Sequence, residues 1–326
     1  MPKRYNCDLC EHHCKIPPKQ YGKCRVRFFD GQKINIRGGI SNWQIDFIEK
    51  KRLFHFFPGT YVLSLGFYSC NLDCPWCINW EITKTVPSDT IFWDIGKIVS
   101  IAEYYGVSGV SFAHSAPEIY AEYIIDTAKK LKKRGGLFLT LSTAGYLTLD
   151  LLNRLSSVID AFVVDLKFPP KIARIIGANS KYYQYIWDKL MLISNKKRHL
   201  EITYLPIPGI SDEKIHLIKI VKKLVDLGLE YVPFHILRFH PEYKYSSFSQ
   251  MEKEKLMDLA GTAQSLGIKF VYVADFPNTK YENTYCPNCG QLLIKRVSSI
   301  PIKILFDNKL RCPSCNYDLS NIIKWY

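Results

Sequence analysis

Beyond residue 58, short apolar runs rich in β-branched side chains alternate with longer stretches whose apolar positions recur with helical periodicity. The apolar runs predict seven strands, namely Tyr61–Phe67, Gly109–His114, Leu137–Thr143, Ala161–Phe168, Leu200–Ile207, Val232–Phe239 and Lys269–Asp275. A helix between each strand and the next is typical of a parallel sheet built from repeated βα units. Six or seven units exceed a typical doubly wound half and fall short of a complete barrel. We therefore predict an α/β fold with a partial, open (β/α)6-type parallel barrel.

The composition of the chain changes twice, which predicts three parts. Residues 1–58 form a cysteine-rich metal-binding segment, residues 59–278 form the barrel, and residues 279–326 form a C-terminal module. The module carries two C-P-x-C knuckles with the β-like stretch IKILF between them, a pattern typical of a zinc ribbon. The expected ligands are Cys286, Cys289, Cys312 and Cys315. Zinc is the favoured metal, and a rubredoxin-like iron site is the alternative.

Composition and charge exclude some classes of protein. The 326 residues are 47% hydrophobic and 23% charged, as expected of a folded chain. No apolar run is long enough to cross a bilayer, and the N-terminus lacks the apolar core of a secretory signal, so we expect a cytoplasmic protein without membrane association. The net charge of +14 is scattered along the chain. A solvated surface explains this better than nucleic-acid binding, which stays an alternative.

The eleven cysteines fall into three groups with none left over. In a compartment that keeps thiols reduced, such grouping indicates metal sites rather than disulfides. The N-terminal group consists of Cys7, Cys10, Cys14 and Cys24. Four thiolates fit either zinc, which we favour, or an auxiliary [4Fe–4S] cluster that relays electrons. His12 or His13 could replace one cysteine in such a site.

The central group lies in the stretch YSCNLDCPWCINW, directly after the first predicted strand. Its members Cys70, Cys74 and Cys77 have the spacing C-x3-C-x2-C. Function in βα folds lies at the carboxyl ends of the strands, where these cysteines are expected. Three thiolates can hold three irons of a [4Fe–4S] cluster and leave the fourth iron open to a substrate or cofactor. A structural metal site, in contrast, would be closed by a fourth ligand.

This C-x3-C-x-aromatic-C motif resembles that of the radical S-adenosylmethionine (SAM) superfamily. Longer segments resemble the enzymes similar to pyruvate formate-lyase activating enzyme, and within them the radical SAM member of the AmmeMemoRadiSam system. These segments are CDLCEHHCKI…YGKCRVR, IEKKRLFHFFPGTYVLSLG, DAFVVDLK, LPIPGISD, VPFHILRFHPEYKY and ENTYCPNCGQLLIKR. The resemblance implies that SAM is the fourth ligand of the cluster. It also implies that one electron splits SAM into methionine and a 5′-deoxyadenosyl radical, which abstracts hydrogen from a protein or a small molecule.

The resemblance further implies partners and site residues. The partners would be a Memo-type protein, an Amme-type protein and an electron donor such as ferredoxin or flavodoxin. The implied cofactor-binding positions are Trp76, Ser115, Thr143, Asp165, Lys167 and His235, with Asp165 and Lys167 also close to the reacting centre. The loop AHSAPE departs from the usual pattern, because Ser115 and Ala116 replace an amide and a carboxylate. The resemblance leaves two candidates for the contact with the SAM amino group there, namely backbone carbonyls and a shifted Glu118. Ser115 is also a candidate cap for the helix predicted over residues 117–134.

Each of these positions has a structural alternative. Asp165 and Lys167 share side-chain parity on their strand and could be a buried salt bridge. His235 could be a core histidine with satisfied hydrogen bonds. Two other functions also remain open: radical SAM modification of RNA, and a non-catalytic scaffold with three structural metal sites. The scaffold predicts an Asp, His or Glu that closes the three-cysteine site.

Overall fold

The computed structural model describes residues 4–277 and 279–325. The predicted boundary of the barrel at residue 278 therefore lies outside the described residues. The N-terminal segment is built from five short antiparallel strands: β1 (Tyr5–Asn6), β2 (Lys15–Ile16), β3 (Gln20–Tyr21), β4 (Arg27–Phe29) and β5 (Ile34–Ile36). Among the described residues, no helix has the length and apolar character needed to span a membrane.

The central sheet has eight strands, and their order across the sheet is their order along the chain. They are β6 (Ile40–Phe47), β7 (Tyr61–Phe67), β8 (Gly109–Phe112), β9 (Phe138–Thr143), β10 (Ala161–Leu166), β11 (His199–Tyr204), β12 (Phe234–Ile236) and β13 (Val271–Val273). The first strand, β6, runs antiparallel to β7, and each later strand is parallel to its predecessor. The carboxyl ends of seven parallel strands therefore share one edge, the mouth of the barrel.

The helices follow the parallel strands and cover the outer face of the sheet. They are α1 (Trp80–Thr83), α2 (Ile95–Tyr104), α3 (Ala121–Arg134), α4 (Leu149–Leu155), α5 (Lys171–Ile175), α6 (Tyr182–Asn195), α7 (Lys214–Asp226) and α8 (Lys253–Ser265). Local chemistry explains several of their ends. The Asp94 side chain accepts from the Lys97 N–H at the start of α2, and Gly135 ends α3 with φ of 80°.

The predicted βα architecture is confirmed, with strands that are shorter than the apolar runs. Strand β6 was not predicted, because its residues are exposed over Asn42–Gln44 and show no two-residue alternation. The prediction that Ser115 caps a helix is wrong. Ser115 has left-handed backbone geometry with φ of 60°, and Ala116 stands at the N-cap of the 3₁₀ turn Pro117–Tyr120 without a side-chain cap.

The amino ends of the barrel strands are closed by the segment that links β6 to β7. Ile48, Leu53 and Phe56 pack there in one apolar cluster with Val62 and Val163. The C-terminal module, with strands β14 (Thr284–Tyr285), β15 (Leu292–Val297) and β16 (Ile300–Ile304), packs beside this segment. The opposite end, the mouth, is left to the loops that carry polar side chains.

Candidate active site

The three-cysteine loop begins immediately after β7, at the mouth of the barrel. Ser69, which precedes Cys70, has φ of 64°, a left-handed conformation that costs a non-glycine residue about 1 kcal/mol. The Cys70 Sγ accepts from the Leu72 N–H at 3.4 Å, and the Cys77 Sγ lies 3.5 Å from the Thr83 hydroxyl. Among the described residues, no His, Asp or Glu joins these thiols in a group close enough to share one ion.

The three cysteines are half-buried, and the surroundings of Cys70 and Cys74 disfavour their thiolates as long as no metal is bound. Burial raises the pKa of Cys70, with the neighbouring Cys74 adding to the effect. Burial also raises the pKa of Cys74, to about 11, although the cation of Lys167 opposes the rise. Metal binding here would therefore displace protons from the thiols.

Asp165 and Lys167 form an ion pair at the end of β10, with 30% and 13% of their side chains exposed. Burial alone would lower the pKa of Lys167, but Asp165 and Cys74 outweigh it and raise the pKa. One oxygen of Asp165, Oδ1, is buried and has no hydrogen-bond partner among the described residues. The pair thus lies beside the cysteine loop and keeps a free acceptor.

Glu118 is a buried carboxyl next to the cysteines. Its Oε1 accepts from the Thr143 hydroxyl at 3.0 Å, while Oε2 is buried without a partner in the described part of the chain. Burial raises the pKa of Glu118 to about 7, and Glu118 acts in turn on the pKa of Cys70. The Thr143 hydroxyl also accepts from the Gly145 N–H at 2.9 Å, which holds the turn after β9. The Oε2 atom is a ready site for a cationic group.

The loop after β8 is strained. His114 and Ser115 are consecutive non-glycine residues with φ of 58° and 60°. The Ser115 hydroxyl is buried and unpaired within the described residues. Strain of this kind persists where the surrounding structure imposes it, and it is typical of ligand-binding sites.

The C-terminal quartet has the geometry of a single-metal site. The Sγ atoms of Cys286 and Cys315 lie 3.7 Å apart, as do those of Cys289 and Cys312. A tetrahedron with metal–sulfur bonds of about 2.3 Å places its sulfurs about 3.8 Å apart. The four residues therefore fit one metal ion, as predicted, and their spacing suits zinc and iron alike.

Comparison with known proteins agrees with this geometry. The model of the radical SAM superfamily matches residues 65–221, which include the three-cysteine loop and strands β8 to β11. An uncharacterized protein of Methanocaldococcus jannaschii, MJ0808, is 31% identical over 330 residues, 98% of this chain and 96% of the relative. The chain belongs to the radical SAM superfamily.

More distant relatives extend the comparison. A second uncharacterized protein of Methanocaldococcus jannaschii, MJ0674, is 24% identical over 78% of this chain and 74% of its own. A radical SAM methyltransferase from Sphaerobacter thermophilus has a similar structure, with a TM-score of 0.51 and 16% identity over 73% of this chain and 71% of that one. The similarity to the methyltransferase structure supports the fold alone.

Membership of the superfamily implies a SAM cofactor and an iron–sulfur cluster, and the residues present fit both. The three half-buried cysteines suit the cluster, and the unpaired oxygens of Glu118 and Asp165 beside them suit a ligand with cationic and hydroxyl groups. Trp76, the expected adenine neighbour, is 4% exposed and packs 5.6 Å from the Tyr245 ring. Its role toward SAM stays a prediction.

His235 lies in the barrel interior, where its Nε2 is 2.6 Å from the Glu201 carboxylate. Glu201 also accepts from His199 and from the His55 N–H. Burial would raise the pKa of Glu201, but these histidines lower it, so the carboxylate is ionised. Sequence reasoning missed Glu201. Glu201 lies two positions before Thr203 on an apolar strand, so both side chains point to the same face of the sheet. A charged residue at such a position was the signal that could have identified it. The hydrogen bond shows how His235 is held and leaves its SAM contact a prediction.

Proposed function

We propose that this chain is a radical SAM enzyme that cleaves SAM reductively and abstracts hydrogen from a protein or small-molecule substrate. The observation that supports this best is the set of three half-buried cysteines at the mouth, which no described His, Asp or Glu closes into a single-ion site. The cluster, when bound, supplies the electron that splits SAM into methionine and a 5′-deoxyadenosyl radical. The protein's own part is to bind and orient SAM and to exclude water.

Three side chains have the chemistry to orient SAM. The Glu118 Oε2 would accept from the SAM ammonium, because a buried unpaired carboxyl is stabilised by a cation. The Lys167 ammonium would donate to a carboxylate or a ribose hydroxyl, and the free Asp165 oxygen would accept from a hydroxyl. In this proposal, Glu118 takes the role of the carboxylate that Ala116 replaces in the loop AHSAPE.

The substrate class is proposed from the motifs quoted above. They favour an activating-enzyme-like reaction on a partner protein, with Memo-type and Amme-type proteins as partners and a ferredoxin or flavodoxin as donor. Affinity purification from the native organism tests this. Recovery of RNA in place of either protein, with binding that weakens steeply as salt rises, would favour the RNA-modifying alternative.

The enzymatic proposal is tested by anaerobic reconstitution with iron and sulfide, followed by SAM and dithionite. The wild-type chain should form 5′-deoxyadenosine. Cys74→Ser should remain folded and form none, because one thiolate of an incomplete set is lost. Activity that persists in Cys74→Ser, or a cluster-loaded wild type that forms no 5′-deoxyadenosine, would refute the proposal.

A further inference from the structure

The four N-terminal cysteines surround one cavity. The thiols of Cys7, Cys10, Cys14 and Cys24 line it, together with Gly22, Arg27 and three apolar side chains. The chain brings them together through the small hairpins of the segment, in which the Cys7 N–H donates to the Cys14 carbonyl at 2.9 Å. Cysteines that are separated along the sequence thus converge on a common space, as metal ligands do.

The spacing of these thiols is not that of a single ion. Within the described residues, the C-terminal quartet is the one group of three or more His, Cys, Asp or Glu ligand atoms that all lie within 4.8 Å of one another. The N-terminal thiols are too spread to meet this limit, and so are those of Cys70, Cys74 and Cys77. A cubane core holds each thiolate on a different iron and so keeps the sulfurs farther apart than a tetrahedral ion does. The spacing of the N-terminal thiols therefore resembles that of the three-cysteine site and differs from that of the C-terminal single-ion site.

The two histidines that were candidate ligands are engaged elsewhere. His12 Nε2 lies 2.7 Å from the Asn71 carbonyl, to which it donates, and its Nδ1 lies 3.4 Å from the Tyr146 hydroxyl. His13 pairs with Glu11 at 3.3 Å. The ligand set is therefore four cysteines.

The surroundings of the cavity suit an anionic cluster. Arg27 is 3% exposed, lines the cavity and makes a two-pronged ion pair with Glu122 at 2.7 and 3.0 Å. The Arg27 Nε is buried and has no hydrogen-bond partner in the described part of the chain, so it remains a free donor. Such donors stabilise thiolate sulfur and tune a cluster's potential.

The quartet also touches the radical SAM loop directly. The Ser69 hydroxyl donates to the Cys24 carbonyl at 2.7 Å, so the backbone of Cys24 contacts the residue before Cys70. Standard bond lengths then limit the distance between the Cα atoms of Cys24 and Cys70 to about 11 Å. His12 makes a second connection through Asn71, the residue after Cys70. The two cysteine groups are therefore neighbours in the fold.

We propose that Cys7, Cys10, Cys14 and Cys24 bind a second [4Fe–4S] cluster, through which electrons reach the three-cysteine site. A one-electron carrier of the ferredoxin or flavodoxin class would reduce this cluster by one electron. The electron would then pass to the neighbouring cluster, which restores the first to its oxidised state and transfers no atoms. The site itself stands on its own geometry, whereas its role in electron transfer rests on the proposed function.

Metal analysis of three cysteine-to-serine variants tests the site. After anaerobic reconstitution, the wild-type chain should hold about eight irons with matching sulfide, and Cys10→Ser and Cys74→Ser about four each. Cys289→Ser, the matched control in the C-terminal module, should keep the iron of both clusters and lose one tightly bound metal ion. Cys74→Ser should still show a cluster that dithionite reduces and SAM leaves unchanged. The site proposal is overturned if Cys74→Ser holds no cluster, if it holds only about two irons, or if Cys10→Ser loses one zinc and no iron.

Electron paramagnetic resonance of the reduced wild type tests the coupling. Two reduced clusters as close as the Ser69–Cys24 contact implies should broaden each other's signals, and each single-cluster variant should show a narrow signal. Wild-type spectra equal to the sum of the two variant spectra would refute the relay. A Cys74→Ser cluster in a protein whose wild type forms no 5′-deoxyadenosine would uphold the second site and reject the proposed function.

Discussion

Among single residues, Glu118 lowers the stability of the fold while it supplies the acceptor proposed for the SAM ammonium. Its ordinary pKa of 4.5 is raised by burial to about 7, so the folded state binds a proton more tightly than the unfolded state. Between these two values the folded state holds more protons, and stability therefore falls as pH rises through the window. Above about pH 7 the full cost, roughly 3 kcal/mol, is present unless a cation approaches the carboxylate.

Glu118→Gln removes this cost and the cation site together. We expect a higher melting temperature than wild type at pH 8, little difference at pH 5, and weaker SAM binding to the cluster-loaded protein. The control is Glu122→Gln, since Arg27 holds the pKa of Glu122 down despite burial and loss of that carboxylate should destabilise the chain at pH 8. Equal melting temperatures of wild type and Glu118→Gln at pH 8 would contradict the assignment.

The variant Lys167→Ala tests whether the ion pair between Asp165 and Lys167 is catalytic or structural. If Lys167 serves SAM or substrate, formation of 5′-deoxyadenosine per cluster-loaded molecule should fall at least tenfold with a small change in melting temperature. If the pair only stabilises the barrel, the Asp165 charge that is left unpaired should cost about 3–5 kcal/mol of stability. Melting temperature and product are measured on the same sample. Unchanged turnover with a large loss of stability would leave the structural interpretation.

Among the elements, helix α6 holds the N-terminal segment to the barrel through a buried ion pair. Lys189 Nζ lies 2.6 Å from Glu11 Oε1, with exposures of 1% and 9%. Lys189→Ala strands the carboxylate and should cost about 3–5 kcal/mol of local stability. We expect faster proteolysis within residues 8–30 while the barrel stays folded. The double variant with Glu11→Gln should recover part of the loss, and additive effects of the two changes would argue against the pair.

The elements also show what sequence alone can predict. The seven parallel strands were predicted because strands buried on both faces are continuous apolar runs, as in β7 and β10. Strand β6 was not predicted because an exposed antiparallel edge strand has no such apolar run. The three cysteine groups were visible from spacing. The contact of Ser69 with Cys24 was not, because it joins residues 45 positions apart through a backbone carbonyl that no side-chain pattern reports.

At the scale of the whole molecule, the C-terminal module shares its core with the barrel. Its quartet cysteines Cys286 and Cys312 belong to one apolar cluster with Phe54, Phe270 and Tyr272. Loss of the metal in Cys289→Ser should therefore loosen the amino end of the barrel and lower the melting temperature by roughly 5 °C or more. Differential scanning calorimetry with metal analysis measures this. A module that melts in a separate transition, with the main transition unchanged, would show that the shared core is not needed.

The order of the strands has a consequence for synthesis on the ribosome. Each strand from β7 to β13 pairs with the strand made just before it, so the sheet can grow at one edge as the chain emerges. The N-terminal and central cysteine groups both lie in the first quarter of the chain and are available early. The C-terminal module reaches back to the segment that links β6 to β7: Arg296 donates to the Phe54 carbonyl, and the Lys324 N–H donates to the His55 carbonyl. The segment that closes the amino end of the barrel is therefore itself covered by a module that is translated after all the barrel strands, and a chain truncated after β13 would leave that segment exposed.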